Sequence, residues 1–203
     1  MTTLRAVLGT GLLVFALYSA PLPAGGTTTD LPQTPTKPSF GTPLTLMMRQ
    51  LLRAIETDSP ALARPLFFPE AAYLRMKTGL ITDPIGDYNH RLVAFYDLDL
   101  GAYHQRLIGQ HTTTFVRVVA NLRLATWITA GTCENRIGYW HEPGVRLVVE
   151  RDHRVVSAAV ASLISWRGVW YVVHLGPNPR PRNVGTVTQF AVGPGTPGPG
   201  GGC

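Results

Sequence analysis

Arg146-Leu-Val-Val-Glu-Arg-Asp-His-Arg-Val-Val-Ser-Ala-Ala-Val-Ala-Ser-Leu-Ile-Ser-Trp-Arg-Gly-Val-Trp-Tyr-Val-Val-His174 decides the fold class of this 203-residue chain. It reads as three β-strands joined by two tight turns. Val145–Glu150 is the first strand, and Arg151-Asp-His-Arg154 reverses it. Val155–Trp166 is apolar at nearly every position, as expected of a central strand covered on both faces. Arg167-Gly168 fits a two-residue hairpin turn, and Val169–Leu175 is the strand that returns from it. Gly176-Pro-Asn-Pro-Arg-Pro181 then breaks pairing, with Val184–Val192 as a weak further strand.

Upstream of the meander the periodicity changes. Thr112–Leu124 is rich in Thr, Val and Phe, as strands are, and Trp127–Thr129 continues the pattern. Thr132–Gly138 reads as an irregular loop, and Pro143-Gly144 as a turn ending the Tyr139 segment. Before Gly109 the spacing is helical. Leu44, Met47, Met48, Leu51, Leu52 and Ile55 recur every three or four residues, which predicts an amphipathic helix over 45–57. Asp58 or Ser59 with Pro60 starts a short second helix. Glu70–Thr78, Tyr88–Phe95 and Leu100–Ile108 follow, with Asp99 as a candidate cap of the last. Helices first and sequential antiparallel strands after them define an α+β fold, with N-terminal helices on one face of a curved, mainly antiparallel sheet.

The flanks differ in composition. Met1–Arg5 is short and positive, and Ala6–Ala24 has no charge. That is the pattern of a signal peptide or, if uncleaved, a signal anchor. Either places the rest of the chain outside the cytoplasm, secreted or anchored in a membrane through residues 6–24 alone. Residues 25–42 are Thr- and Pro-rich and predict a solvated linker. The domain is then expected over 43–176, and residues 177–203 as a Pro/Gly-rich tail, mostly disordered. Cys133 and Cys203 are the only cysteines. They can pair with each other in an oxidising compartment, Cys203 can link two chains, or Cys133 can be an ordinary buried thiol.

Several function classes are excluded by pattern. The net charge of +6 falls to +3 between Pro43 and Gly176, with no basic run, so no nucleic-acid partner is expected. No paired-Cys or paired-His metal spacing and no P-loop, dinucleotide, GxSxG, SxxK or HExxH fingerprint occurs, so neither metal nor cofactor is expected.

The opening helix, the aromatic short helices and the hairpin Trp166-Arg-Gly-Val-Trp-Tyr-Val-Val-His174 resemble the NTF2-like (cystatin-like) α+β cone over roughly residues 44–175. Phe67-Phe-Pro and Cys133-Glu-Asn…Gly138-Tyr-Trp-His are similar to secreted bacterial proteins with no known activity. The cone fold hosts isomerases, dehydratases, ligand-binding pockets and interaction modules, so the resemblance selects no function. No catalytic residue transfers from it; the aromatic-rich helical layer, the two-faced apolar sheet and the lack of a catalytic signature point instead to a non-catalytic module that binds a small apolar ligand or an envelope partner.

The candidate residues follow from strand alternation and chemistry. Alternation places Trp170, Val172 and His174 on one face and Tyr171 and Val173 on the other. A cavity-facing His174 offers an acid or base near neutral pH; the alternative is a strand-end histidine bonded to a loop carbonyl. His141 lies with Glu142 and Tyr139 close after Cys133 and Glu134. Asp87 and Asp99 are the helical carboxylates, read as caps unless a histidine meets them. Trp170, His174, Tyr103 and Tyr139 are the candidate ligand contacts; His174, His141, Asp87 and Asp99 are the candidates for an isomerase- or dehydratase-like site. A third reading is an accessory module of a membrane complex displayed by the anchor. His90, His104, His111 and His153 read as exposed or partly exposed polar positions.

Overall fold

The computed structural model describes residues 31–199. The expected export segment and Cys203 lie outside the described residues. The fold is α+β: helices come first, an antiparallel sheet follows, and the helices pack against it.

Helix α1 (Thr42–Glu56) buries Leu44, Met48, Leu51, Leu52 and Ile55, the stripe its apolar spacing predicts. Ser59 caps the short α2 (Pro60–Ala63) by accepting from the Leu62 N–H. Helix α3 (Glu70–Lys77) follows the Phe67-Phe68 corner. Beyond it the sequence predicts two helices separated by a break, but the structure has one continuous run. Helix α4 (Pro84–Asp87) passes through π-helical turns at Tyr88–Val93 into α5 (Ala94–Tyr103), and further π turns close it at Ile108. Asp83 caps this run through the Gly86 N–H; Asp87 and Asp99 lie inside it and cap nothing.

The strands are β1 (Thr113–Val119), β2 (Thr126–Ile128), β3 (Tyr139–Arg151), β4 (Arg154–Trp166), β5 (Val169–His174) and β6 (Thr188–Val192). The long hairpin β3–β4 is the centre. β2 and β1 share the outer edge of β3, while β5 and β6 share the far edge of β4. Both hairpin turns carry two consecutive residues with positive φ, Asp152-His153 and Arg167-Gly168, as tight two-residue hairpins require.

Pro143-Gly144 does not end a strand. It lies within β3, in the interval between the residues that pair with β2 and those that pair with β1. Gly144 has φ +63° there, and its carbonyl accepts from Gly198 N–H at 3.0 Å. A Cβ at Gly144 would collide with the Gly198 backbone, so glycine is needed to admit that segment.

The two chain ends explain why β4 is apolar on both faces. On one face Val156, Ala158, Val160 and Ile164 join Val145, Leu147 and Val149 of β3 and the helices in one buried cluster. The opposite face is covered by residues expected to be solvated. Gln33 bridges the β4–β5 hairpin, donating to Ser165 O (2.9 Å) and accepting from Arg167 N–H. Trp140 Nε1 donates to Pro35 O (2.9 Å), and Phe40 packs on Trp170 at 5.3 Å between centroids. At the other end Ser157 Oγ donates to Gly193 O (2.9 Å), and Gly195 lies on the Arg146 guanidinium.

The boundaries read from composition are corrected accordingly. Part of the 25–42 linker and, through residue 199, the 177–203 tail belong to the fold. Their small and imino residues suit close backbone approach to a sheet surface rather than solvation alone.

Candidate functional site

A cavity of about 490 Å³ opens between α3, the α4–α5 run and the helix-facing side of the sheet. Small-molecule sites span about 300–1,000 Å³. Its apolar wall includes Phe68, Met76, Ile81, Leu92, Ile128, Ile164 and Val173. Its polar groups form two clusters, one on the helices and one on the sheet.

On the helical side Asp87 holds Arg91 by two hydrogen bonds, from Nε to Oδ1 at 2.6 Å and from Nη2 to Oδ2 at 2.5 Å. The Tyr73 hydroxyl donates to the same Oδ2. The spacing i, i+4 puts Asp87 and Arg91 on one helix face, and the π turns at Tyr88–Val93 carry Arg91 and Leu92 to the cavity wall. Burial pushes the Asp87 carboxyl up, but the hydrogen bonds from Arg91 and Tyr73 and the Arg91 and Lys77 charges outweigh it. The net result is a carboxyl below the usual range. Burial and the Asp87 carboxylate together hold the Tyr73 phenol far above its ordinary value. Tyr73→Phe is expected to cost about 1.5–3 kcal/mol, the range for a hydrogen bond to a charged group, and to raise the Asp87 pKa. Urea unfolding and carboxyl-carbon NMR titration check the two effects; an unmoved Asp87 titration would refute the assigned bond.

On the sheet side the register decides what faces the cavity. β5 carries an extra residue against β4: Leu163 pairs with Val172, and Ser162 with His174. Val173 is the bulge residue. Alternation from Trp170 therefore fails at its last step. His174 turns to the cavity beside Val173, whereas Trp170 faces the other side of the sheet and packs on Phe40. His174 lies opposite Ser162, whose hydroxyl is 3.0 Å from His141 Nε2. His174 Nε2 is 3.5 Å from the Asn178 amide nitrogen. Desolvation lowers the His174 pKa to about 4, with Arg91, Arg180, His141 and Lys77 adding to it. The imidazole is thus neutral at physiological pH, partly buried on a cavity wall.

The remaining polar lining comes from α3 and the 132–138 loop. Lys77 Nζ donates to Cys133 O at 3.0 Å, and burial lowers its pKa. Asn135 donates to the Tyr139 hydroxyl at 3.3 Å, and burial raises that phenol to about 12. Cys133 and Glu134 both have positive φ, and Cys133 is disulfide-bonded, so it is no nucleophile for His141. Asp83 and Glu134 are exposed residues at the cavity mouth.

Of the residues singled out from sequence, His174, His141, Asp87 and Tyr139 converge on this cavity. Trp170, Tyr103 and Asp99 do not. Tyr103 is fully buried; its hydroxyl accepts from Thr188 N–H (3.0 Å) and faces the carbonyls of Ala159 and Leu175, tying α5 to β4 and β6. Asp99 is 2% exposed and pairs with Arg180 while accepting from Gly176 N–H (2.8 Å) and Thr186 N–H (2.9 Å). Tyr73, Lys77, Arg91, Ser162, Asn135 and Asn178 were missed. Only the Asp87/Arg91 and Tyr73/Lys77 spacings of four gave a sequence signal for any of them. Glu142 lies on the opposite face of β3, away from His141. Among the described residues no three potential metal ligands converge, and no helix is long and apolar enough to cross a membrane.

No protein-family model matches the chain, and neither a curated protein nor a solved structure is significantly similar to it.

Proposed function

We propose that this chain is an exported, non-catalytic domain of NTF2-like kind that takes a small, largely apolar ligand into its helix–sheet cavity. The cavity itself carries the reading: about 490 Å³, with an apolar wall from Phe68 to Val173 set against a comparable share of converging polar groups. At about 30 Å³ of liquid volume per water-sized group, it suits a ligand of on the order of ten to fifteen non-hydrogen atoms.

The electrostatics favour binding over proton transfer. A general acid or base works best with a pKa near the operating pH. Asp87 is held below the carboxylate range, burial lowers His174 to about 4, and Tyr73 is held far too high. An isomerase- or dehydratase-like enzyme is the second reading, favoured by the convergence of two histidines, Tyr73 and Asp87 on one cavity. Export rests on the signal pattern of residues 1–24, and the disulfide at Cys133 fits an oxidising compartment. An envelope partner, or display by an uncleaved 6–24 anchor, is compatible with the same cavity; mass spectrometry of the mature N-terminus separates the anchored form from the free one.

Fluorescence titration with 2-naphthol tests the binding reading. The expected result is saturable one-to-one uptake, weakened more than tenfold by Val173→Trp, which fills the cavity from β5. Absence of saturable uptake, or uptake unchanged in that variant, would refute it.

A further inference from the structure

The charges around the cavity are not evenly placed, and their placement bears on the ligand. His174 lies on the sheet side, and the charges that lower its pKa are cations or potential cations. Arg91 comes from the π turns, Lys77 from α3, Arg180 from the segment after β5, and His141 from β3. Asp83, Asp87 and Glu134 also line the cavity, but Asp87 is already engaged and the other two are exposed. Asp87 is saturated by Arg91 and the Tyr73 hydroxyl. Asp99 is enclosed with Arg180 and two backbone N–H groups. Asp83 caps α4, and it and Glu134 are exposed at the mouth. The sheet wall beside His174 also carries hydroxyl, imidazole and amide groups, from Ser162, His141 and Asn178. Hydroxyl, imidazole and amide groups on one wall, with Lys77 and Arg91 across from them and apolar side chains between, suit one chemical class: an apolar body ending in an anion.

We propose that the ligand of this cavity is a small amphiphile with a carboxylate head, seated on the wall formed by His141, Ser162, His174 and Asn178 and facing Lys77 and Arg91. The inference rests on the ligand-binding reading above and narrows it. Lys77 is the cation that the proposal makes most useful. Its half-buried ammonium has a backbone carbonyl, Cys133 O, as its hydrogen-bond partner; of the carboxylates that bear on it, Glu134 is exposed and Asp87 is already held by Arg91.

The test is calorimetric titration of the full chain at pH 7.5 with octanoate, 1-octanol and octylamine. These probes share one chain length and differ only at the head. Octanoate is expected to bind at least tenfold more tightly than octanol, and octylamine more weakly than octanol. In Lys77→Met, which keeps the aliphatic stem, the ratio of octanoate to octanol affinity is expected to shrink at least threefold. Octanol binding as tightly as octanoate would overturn the anionic head and leave the apolar-ligand reading standing. An undiminished preference in Lys77→Met would overturn the seat assigned to the head. Failure of all three probes to bind would remove the cavity reading together with this inference.

Discussion

Replacing Asp99 with alanine is expected to destabilise the domain by roughly 3–5 kcal/mol, the cost of stranding one partner of a buried ion pair. Both side chains of the Asp99–Arg180 pair are 2% exposed. Asp99 also receives the N–H groups of Gly176 and Thr186, so one carboxylate organises the chain just after β5 and just before β6. The approach is close enough that a Cβ on Gly176 would lie 2.6–2.7 Å from the Asp99 oxygens. Without the carboxylate, Arg180 keeps Thr186 Oγ1, the Phe95 carbonyl and the Phe95 ring, none of which carries a compensating charge. Asp99→Leu combined with Arg180→Met is expected to recover much of the loss, because no charge then remains buried. Urea denaturation of both variants measures the difference. The assignment fails if Asp99→Ala lies within about 1 kcal/mol of wild type, or if the double variant is no more stable than the single one. Amide exchange at Thr188–Val192 should quicken in Asp99→Ala well before exchange in β3 does, since β6 is attached through this junction.

The same junction shows where sequence reading stopped. Local patterns fixed the helices and the β3–β4–β5 meander because each buries a regular stripe: period 3.6 in α1, continuous apolarity in β4. Asp99 looked like a cap because an acidic residue before Leu100 matches that local rule. Its real partners are 77, 81 and 87 residues away in sequence, and no local rule reports them. The chain ends were misread for a related reason. Pro, Gly and Thr predict solvation only when nothing lies beneath them, and here an apolar sheet face does. The two-sided apolarity of Val155–Trp166 demanded a second cover, and among the described residues segments assigned as linker and tail supply it. His174 reached the cavity through a bulge that the run Val169–His174 does not announce, so the companion residues named with it were wrong in one case, Trp170, and absent in another, Ser162. On the helical side the spacing of four between Asp87 and Arg91 carried a signal that the reading of Asp87 as a cap left unused, and only the tertiary structure adds Tyr73.

Glu142 supplies the second large effect, and its sign is opposite to the common behaviour of paired carboxylates. Its side chain has no exposed surface, and its carboxylate oxygens lack well-formed hydrogen bonds among the described residues. Burial raises its pKa from 4.5 to about 7; the Asn121 backbone and the Lys37 ammonium relieve this only in part. Below about pH 4.5 the group is protonated in both folded and unfolded chains, and stability is unaffected. As pH rises towards 7 the unfolded chain releases the proton while the folded chain retains it, so stability is progressively lost, and the loss is complete above the folded pKa. At about 1.4 kcal/mol per pKa unit the total is about 3 kcal/mol. Glu142→Gln removes this slope. The amide also lacks partners, and that penalty of about 1–3 kcal/mol does not depend on pH, so the informative quantity is the change of stability with pH rather than its absolute value. Relative to wild type, Glu142→Gln is expected to gain about 3 kcal/mol between pH 4.5 and pH 8, or roughly 6–12 °C in Tm for a domain of this size. Asp87, whose carboxyl is held low, acts in the other direction: its contribution is present above the unfolded value and is lost in acid. The wild-type optimum is therefore expected on the acidic side of neutrality, and in Glu142→Gln it should move towards neutral pH. Thermal melts of both proteins from pH 4 to pH 9 decide the matter, and a Tm difference that stays constant across that range would show that Glu142 does not titrate inside the fold.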